Sequence, residues 1–354
     1  MEKKYRCIGL MSGTSLDGVD VVCVDFQIGS SISYKIVASK TYTYSQVWKN
    51  KLKEAFTSSA DDLKILDKAY GKYLGSLVLE FNKTFSIDRL DFIASHGHTI
   101  YHNPSQGFTL QIGCGKELSK KSGFDVVCDF RKQDVAMGGQ GAPLVPIGDL
   151  LLFSSYTFCL NLGGFANVSF DSGGNRIAFD ICPVNIVMNQ IVSSLGWDFD
   201  DKGQLAASGK IVAPLLKELN ALSFYSWPAP KSLGYEFVVN EIFPILQQFD
   251  IPMADLLRTF VEHVAQQIAE VLSKKEPSNV LITGGGVRNE FLIQRIKVLS
   301  TCKVVVPSED LVDYKEALVF ALLGVLKLEG KNNCLASVTG AEKDHSSGNF
   351  FARV

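Results

Sequence analysis

The sequence predicts an α/β protein built from two similar halves, and its glycine turns carry that prediction. Cys7-Ile8-Gly9-Leu10-Met11 is an apolar run that breaks into Gly13-Thr14-Ser15-Leu16-Asp17-Gly18, and a second apolar run, Val19 to Phe26, follows. That is the pattern of a strand, a tight turn and a return strand. Glycine lets backbone N–H groups come close to an anion, and Thr and Ser hydroxyls add donors, so the turn suits a phosphate. The spacing from Gly13 to Gly18 imitates a P-loop, but Val19-Asp20 stands where Lys-Ser/Thr is required, and a strand rather than a helix follows. About half a chain later the pattern returns. Thr157 to Leu162 runs into Gly163-Gly164, Phe165 to Phe170 continues as a strand, and Gly173-Gly174 turns it toward Arg176-Ile177-Ala178-Phe179-Asp180. A third run, Val280 to Thr283, enters Gly284-Gly285-Gly286, with a helix expected from Asn289 to Leu299. Any one of these alone is equally an ordinary tight turn. Three in this order point to duplicated halves.

Composition bounds the rest. At 354 residues the chain is long for one core, so two domains are expected, and 46% hydrophobic residues suffice to fill both. Lys and Arg number 35 against 37 Asp and Glu, which gives no electrostatic case for nucleic acid or an anionic membrane. Met1-Glu2-Lys3-Lys4-Tyr5-Arg6 leads straight into the first strand without a signal-like apolar region, and no apolar stretch reaches bilayer length. A soluble, cytoplasmic protein is expected. None of the eight cysteines forms a CxxC pair and most lie in apolar runs, so they read as buried thiols rather than disulfides or metal ligands. Cys182 follows Asp180 closely, but no His lies near it in sequence, which argues against a nucleophile.

In chain order, residues 5–44 read as strands and 46–84 as two helices, the second with Leu63, Leu66, Tyr70, Tyr73, Leu74 and Leu77 at helical spacing. Residues 90–94 form a short strand ending in a polar loop, Ser95-His96-Gly97-His98-Thr99. Residues 109–113 and 125–130 are strands, and the Gly- and Pro-rich loop up to Pro146 is the expected boundary. The domains are then 1–130, with the tail 336–354 able to pack back on it, and 131–335. A long amphipathic helix is expected over 254–273 and a final one over 313–328, opened by Glu316. His96, His98 and His102 lie close together, but no Cys or HExxH geometry supports a metal there. His263 reads as a surface or core residue of the long helix.

Repeated strand–turn–strand units facing a nucleotide are the plan of actin, the heat-shock ATPases and the sugar kinases. Met11-Ser12-Gly13-Thr14-Ser15-Leu16-Asp17-Gly18-Val19-Asp20 resembles the signature of the anhydro-N-acetylmuramic acid kinases. Matching blocks run along the chain: Ser95-His96-Gly97, Thr109 to Gly113, Asp129-Phe130-Arg131, Asp134-Val135-Ala136 and Gly138 to Pro146. They continue with Asn161 to Gly164, Phe179-Asp180, Ala206 to Gly209, Pro230-Lys231-Ser232, Gly284 to Gly286, Glu316-Ala317-Leu318 and Ser337 to Ala341.

The resemblance implies a two-lobed actin-like (sugar kinase/heat-shock ATPase) fold, with duplicated ribonuclease-H-like domains and an interdomain cleft. It implies ATP and Mg²⁺ as cofactors and a homodimer. The implied reaction opens 1,6-anhydro-N-acetylmuramic acid with water and phosphorylates O6, a step of peptidoglycan recycling. Asp180 matches the family's catalytic aspartate and would take a proton from the attacking water; from position alone, a turn-capping Asp is an equal reading. Gly13, Thr14, Ser15, Leu16, Asp17, Gly18, Val19 and Asp20 would hold phosphates, with Asp17 reaching the Mg²⁺. Asn161, Gly163 and Gly164 would form the second phosphate turn, and Gly284, Gly285 and Gly286 would pass the adenosine. His96, Thr99, Asp134, Gln140, Asn185 and Glu316 would face the sugar. Asp134 and Arg131 also read as an ion pair, and Glu316 as a helix-dipole partner.

The chain departs from the family on the sugar side. Ile181-Cys182-Pro183-Val184-Asn185 replaces Thr-Gly-Pro-Gly-Asn after Asp180, and His98 stands for Gln, Cys114 for Asp and Leu335-Ala336 for Leu-Pro. Two alternatives follow: a kinase for a related anhydro or amino sugar, or a weakly catalytic ATP-binding switch.

Overall fold

Two sheets with the same strand order organise the chain. The structure, a computed structural model, describes residues 2–353. The chain divides into two units, 1–152 with 314–354, and 153–313.

In the first unit β1 (Lys3–Ser12), β2 (Gly18–Ile28) and β3 (Ile32–Thr43) form an antiparallel meander. β4 (Phe92–Asn103) then lies parallel to β1, and β6 (Asp125–Cys128) parallel to β4. The order is β3-β2-β1-β4-β6, extended by β12 (Asn349–Phe351) on β6 and by β5 (Phe108–Ile112) on β4. In the second unit β7 (Phe158–Leu162), β8 (Phe165–Ser172) and β9 (Asn175–Pro183) form the meander. β10 (Asn279–Thr283) pairs parallel with β7, and β11 (Lys303–Val305) parallel with β10. The order β9-β8-β7-β10-β11 repeats the first sheet. This duplicated three-antiparallel, two-parallel order is the ribonuclease-H-like plan expected from the sequence.

The helices follow their local chemistry. α1 (Gln46–Glu54) and α2 (Ala60–Phe85) start at Ser45 and Ser59, whose hydroxyls accept from Trp48 N and Asp62 N. Tyr70, Leu74, Leu77, Val78 and Phe81 of α2 are buried against Ile8, Leu10 and Ile93 of the sheet. In the second unit the helix Met253–Leu272 buries Leu257, Phe260, Val261, Val264 and Ile268 with the apolar face of β7–β10. Among the described residues no helix is long and apolar enough to cross a membrane.

The division does not fall where sequence punctuation placed it. Residues 131–152 stay with the first unit because α4 (Lys132–Ala136) and α5 (Pro146–Leu152) are tied into it. Ser347 Oγ donates to Phe130 O, Thr339 Oγ1 donates to Asp134, and Gly148 leaves room for Val319. The final helix runs over Glu309–Leu328 and its apolar part belongs to the first unit. There a Cβ on Gly9 would sit 2.0 Å from Ala317 O, so the helix backbone lies almost on β1. Glu309 and Asp310 occupy its first turn. Glu316 lies two turns inside, so the dipole reading does not apply to it.

Candidate active site

β1 delivers the first glycine turn and β3 pins it. Tyr44 N donates to Asp17 O at 3.2 Å and Leu16 N to Gly13 O at 3.5 Å, leaving Thr14, Ser15 and Asp17 exposed. A Cβ on Gly13 would meet only Ser15 Oγ, at 3.6 Å, so the protein's own packing does not demand glycine there. Gly18 differs: a Cβ would sit 2.4 Å from Tyr42 O, so its bare backbone serves the β2–β3 pairing. Val19 is in the core, and Asp20 accepts from Thr41 Oγ1 at 2.6 Å.

The histidines expected in a loop lie in β4, which continues through them to Asn103. Gly97 takes φ +77° where the strand leaves β1 for β5, because a Cβ would strike Ile112 O. His96 is buried with both ring nitrogens engaged: Nδ1 lies 3.0 Å from Gly97 O, and Nε2 accepts from Arg131 Nε at 2.9 Å. Burial and the Arg131 charge hold its pKa well below the ordinary value. His98 Nδ1 meets Ser12 Oγ at 2.8 Å, and Ser12 Oγ meets Tyr44 OH, which meets Tyr70 OH. Burial lowers the His98 pKa to about 4. Thr99 Oγ1 accepts from Gln111 Nε2.

Asp134 and Arg131 are not partners of each other. Arg131 Nη1 donates to Gly141 O, while Asp134 accepts from Gly141 N (2.7 Å) at Oδ2 and from Thr339 Oγ1 (2.8 Å) at Oδ1. Asp134 is fully buried, so it shapes the Gly138–Gly141 turn from inside. Gln140, on that turn, is exposed, with its N–H on Thr339 O. Glu316 is exposed.

In the second unit the glycine turns converge. Asn161 and Leu162 end β7; a Cβ on Gly284 would reach Asn161 Oδ1 at 2.5 Å, and one on Gly286 would reach Leu162 Cβ at 2.7 Å and Asn185 Nδ2 at 3.4 Å. Gly284, at φ +87°, and Gly286 are therefore glycines for internal packing. Gly285 differs, since a Cβ there would meet nothing within 4 Å, and Gly163 and Gly164 would make only mild contacts. Gly164 O accepts from Val184 N at 2.8 Å and Gly163 O from Asn185 N at 3.3 Å, so this turn is bonded to the segment after Asp180. Gly13, Gly163, Gly164 and Gly285 thus leave the space that a close-approaching phosphate or nucleoside needs.

Asp180 lies inside β9, not at its end. It pairs with Asn167 while Cys182 pairs with Ala166, so Ile181 is the extra residue of a bulge. Asp180 Oδ2 accepts from Leu233 N at 2.8 Å, and no described donor reaches Oδ1. Burial raises the Asp180 pKa, and the Leu233 N–H opposes the rise. The departures after Asp180 point into the core: Ile181, Cys182 and Val184 are buried among Val187, Leu257 and Phe260. Burial also raises the Cys182 thiol pKa strongly, which keeps it protonated.

The sequence reading did not assign Ser12, Tyr44 and Tyr70 behind His98, nor Leu233 on Asp180. The quoted blocks Pro230-Lys231-Ser232 and Ser337 to Ala341 lay beside Leu233 and around Thr339; nothing in the sequence singled out the tyrosines.

The family model for anhydro-N-acetylmuramic acid kinase matches residues 5–353. The anhydro-N-acetylmuramic acid kinase of Coxiella burnetii (strain Dugway 5J108-111) is 35% identical over 360 residues, covering 96% of this chain and 95% of its own. That of Vibrio parahaemolyticus is 34% identical over 365 residues, covering 98% of each. Among solved structures, the (R)-2-hydroxyglutaryl-CoA dehydratase component A of Acidaminococcus fermentans gives a TM-score of 0.45 at 13% identity, covering 90% of this chain and 96% of that one. The family match takes in the first hairpin, Asp180, the three-glycine turn and the tail, and the chain belongs to the anhydro-N-acetylmuramic acid kinase family.

Proposed function

We propose that this chain uses ATP and water to convert 1,6-anhydro-N-acetylmuramic acid to N-acetylmuramic acid 6-phosphate, as part of cell-wall recycling. The observation that carries the reading is the state of Asp180. It is a partly buried carboxylate beside a bulge, with Oδ2 fixed by Leu233 N and Oδ1 open. Its raised pKa makes it a better proton acceptor than a solvated Asp. Oδ1 takes a proton from water as the water oxygen bonds to C1 and the C1–O6 bond breaks. The freed O6 then attacks the γ-phosphorus of ATP with ADP leaving, and Asp180 returns its proton to solvent, so water and ATP are each consumed once.

Bound Mg-ATP supplies the phosphoryl group and charge neutralisation. Exposed Thr14, Ser15 and Asp17, with the unencumbered Gly13, Gly163 and Gly164, fit the phosphates, and Gly285 fits the adenosine. Asp17, the carboxylate of the first turn, would hold the metal. Thr99, Gln140, Asn185 and Glu316 are the side chains proposed for the sugar. Asp134, and His96 through Arg131, position the Gly138–Gly141 turn that carries Gln140.

The test is ADP release from Mg-ATP with 1,6-anhydro-N-acetylmuramic acid, N-acetylmuramic acid, N-acetylglucosamine or no sugar, with Asp180→Asn alongside. Release that requires the anhydro sugar and is lost in the variant supports the reading. Release indifferent to every sugar overturns it in favour of an ATP-binding switch.

A further inference from the structure

In the first unit, away from Asp180, three side chains of different chemistry converge below the surface. Asp134, Cys334 and His345 are 0%, 1% and 5% exposed, and their ligand atoms lie within 4.8 Å of one another. Cys334 and His345 face each other across an isolated antiparallel bridge: Cys334 N donates to His345 O at 3.1 Å, and His345 N to Cys334 O at 3.2 Å. Asp134 arrives from α4, far away in sequence.

The imidazole is oriented as a ligand. With Nδ1 3.1 Å from Lys343 O, the neutral His345 imidazole carries its proton there and keeps its lone pair on Nε2. Nε2 has no hydrogen-bond partner, although it is buried. It lies 3.6 Å from Asp134 Oδ1, an ion-pair distance for an imidazolium and, for the neutral ring, a meeting of two acceptors. Arg131 makes no hydrogen bond to that spot, being committed to His96 Nε2 and Gly141 O, although its charge acts on both Cys334 and Asp134. Asp134 Oδ1 accepts only from Thr339 Oγ1, which leaves it a lone pair.

We propose that Asp134 Oδ1, Cys334 Sγ and His345 Nε2 bind a zinc ion that fastens the C-terminal segment to the Gly138–Gly141 turn. One thiolate, one imidazole and one carboxylate suit a borderline-soft, tetrahedral cation, with water as fourth ligand. Bonds of about 2.0–2.3 Å put tetrahedral ligands roughly 3.3–3.8 Å apart. The oxygen–nitrogen edge, at 3.6 Å, is close to such a spacing, and the three ligand atoms lie within 4.8 Å of one another. Binding releases the Cys334 thiol proton to solvent.

The full chain is loaded with zinc, freed of excess over a weak chelator and assayed for metal content, with Cys334→Ser, His345→Gln and Cys114→Ser in parallel. Cys114 is the one cysteine that is not buried, so it controls for adventitious thiol binding. The expected result is one zinc per chain in the parent and in Cys114→Ser, with at least a tenfold loss in the other two. Because those two could fold poorly, cobalt is added to the parent chain as well. A thiolate-to-cobalt charge-transfer band with tetrahedral d–d absorption, and a higher Tm with zinc than without, are expected. Metal below one-tenth per chain, a six-coordinate cobalt spectrum, or loss in Cys114→Ser alone overturns the proposal.

Discussion

Asp180 is clamped twice by one short segment: its carboxylate accepts from Leu233 N at 2.8 Å, and its own N–H donates to Lys231 O at 3.0 Å. The backbone clamp fixes where the side chain leaves the strand. The side-chain clamp uses one oxygen and leaves the other for chemistry.

Asp180→Asn keeps an oxygen acceptor for Leu233 N and removes the base. Anhydro-sugar-dependent ADP release should fall by about 10²–10⁴-fold, the usual worth of a positioned general base. Far-UV circular dichroism should not change. A variant retaining more than a tenth of the parent rate would exclude Asp180 as the base.

The pH dependence has a definite sign. Burial raises the pKa of Asp180, so kcat/KM should drop on the acid side with a midpoint above the ordinary carboxylate value of about 4. Stability runs the other way. A carboxyl raised by folding favours the fold when protonated, and that contribution is lost as pH rises through the folded pKa. Asp180→Asn should therefore melt higher than the parent at neutral pH, with the gap closing below about pH 4. A gap that does not change with pH would sink this account.

His98 is the opposite case. Its pKa falls to about 4 in the fold from about 6.5 in the unfolded chain, so the unfolded state binds more protons between those values. Its contribution is present above about pH 6.5 and is lost as pH falls toward about 4. His98→Gln, the residue usual in the family, should narrow the difference between urea midpoints at pH 7.5 and 4.5. An unchanged difference would assign the acid lability to other groups such as His263, whose pKa is also lowered by burial.

Neighbouring glycines should behave differently. Gly284→Ala meets Leu162 O at 2.8 Å and needs φ +87°, so it should cost about 1–3 kcal/mol in urea unfolding. Gly285→Ala meets nothing within 4 Å and should fold as the parent does. Its KM for ATP should rise several-fold, because the new methyl points where the adenosine is proposed to lie. A Gly285→Ala variant with unchanged KM would move the nucleoside elsewhere.

The fold was readable because its signals are local and repeat. Apolar runs ending in Gly163-Gly164 and Gly173-Gly174 are hairpins by turn chemistry alone, and the helical spacing of Leu63, Leu66, Tyr70, Tyr73, Leu74 and Leu77 marks α2. What could not be read was burial and direction. Ser95 to Thr99 is polar and contains glycine, so it reads as a loop; it is strand because β1 and β5 take its hydrogen bonds and the core takes its imidazoles. Likewise, Asp134 reads as a partner of nearby Arg131, yet its partners come from Gly141 and distant Thr339. Glu316 reads as a helix start because the expected helix begins at 313, whereas the helix begins at Glu309.

The second unit is one continuous stretch, whereas the first is closed by β12 pairing with β6. During synthesis the middle of the chain therefore has its whole sheet available while the earlier-made sheet still waits for its last strand. Nascent unit 1 must hold a provisional edge at β6 until β12 has been made. A stop codon before β12 would strike the sheet that carries the first glycine hairpin, although that hairpin is made long before β12.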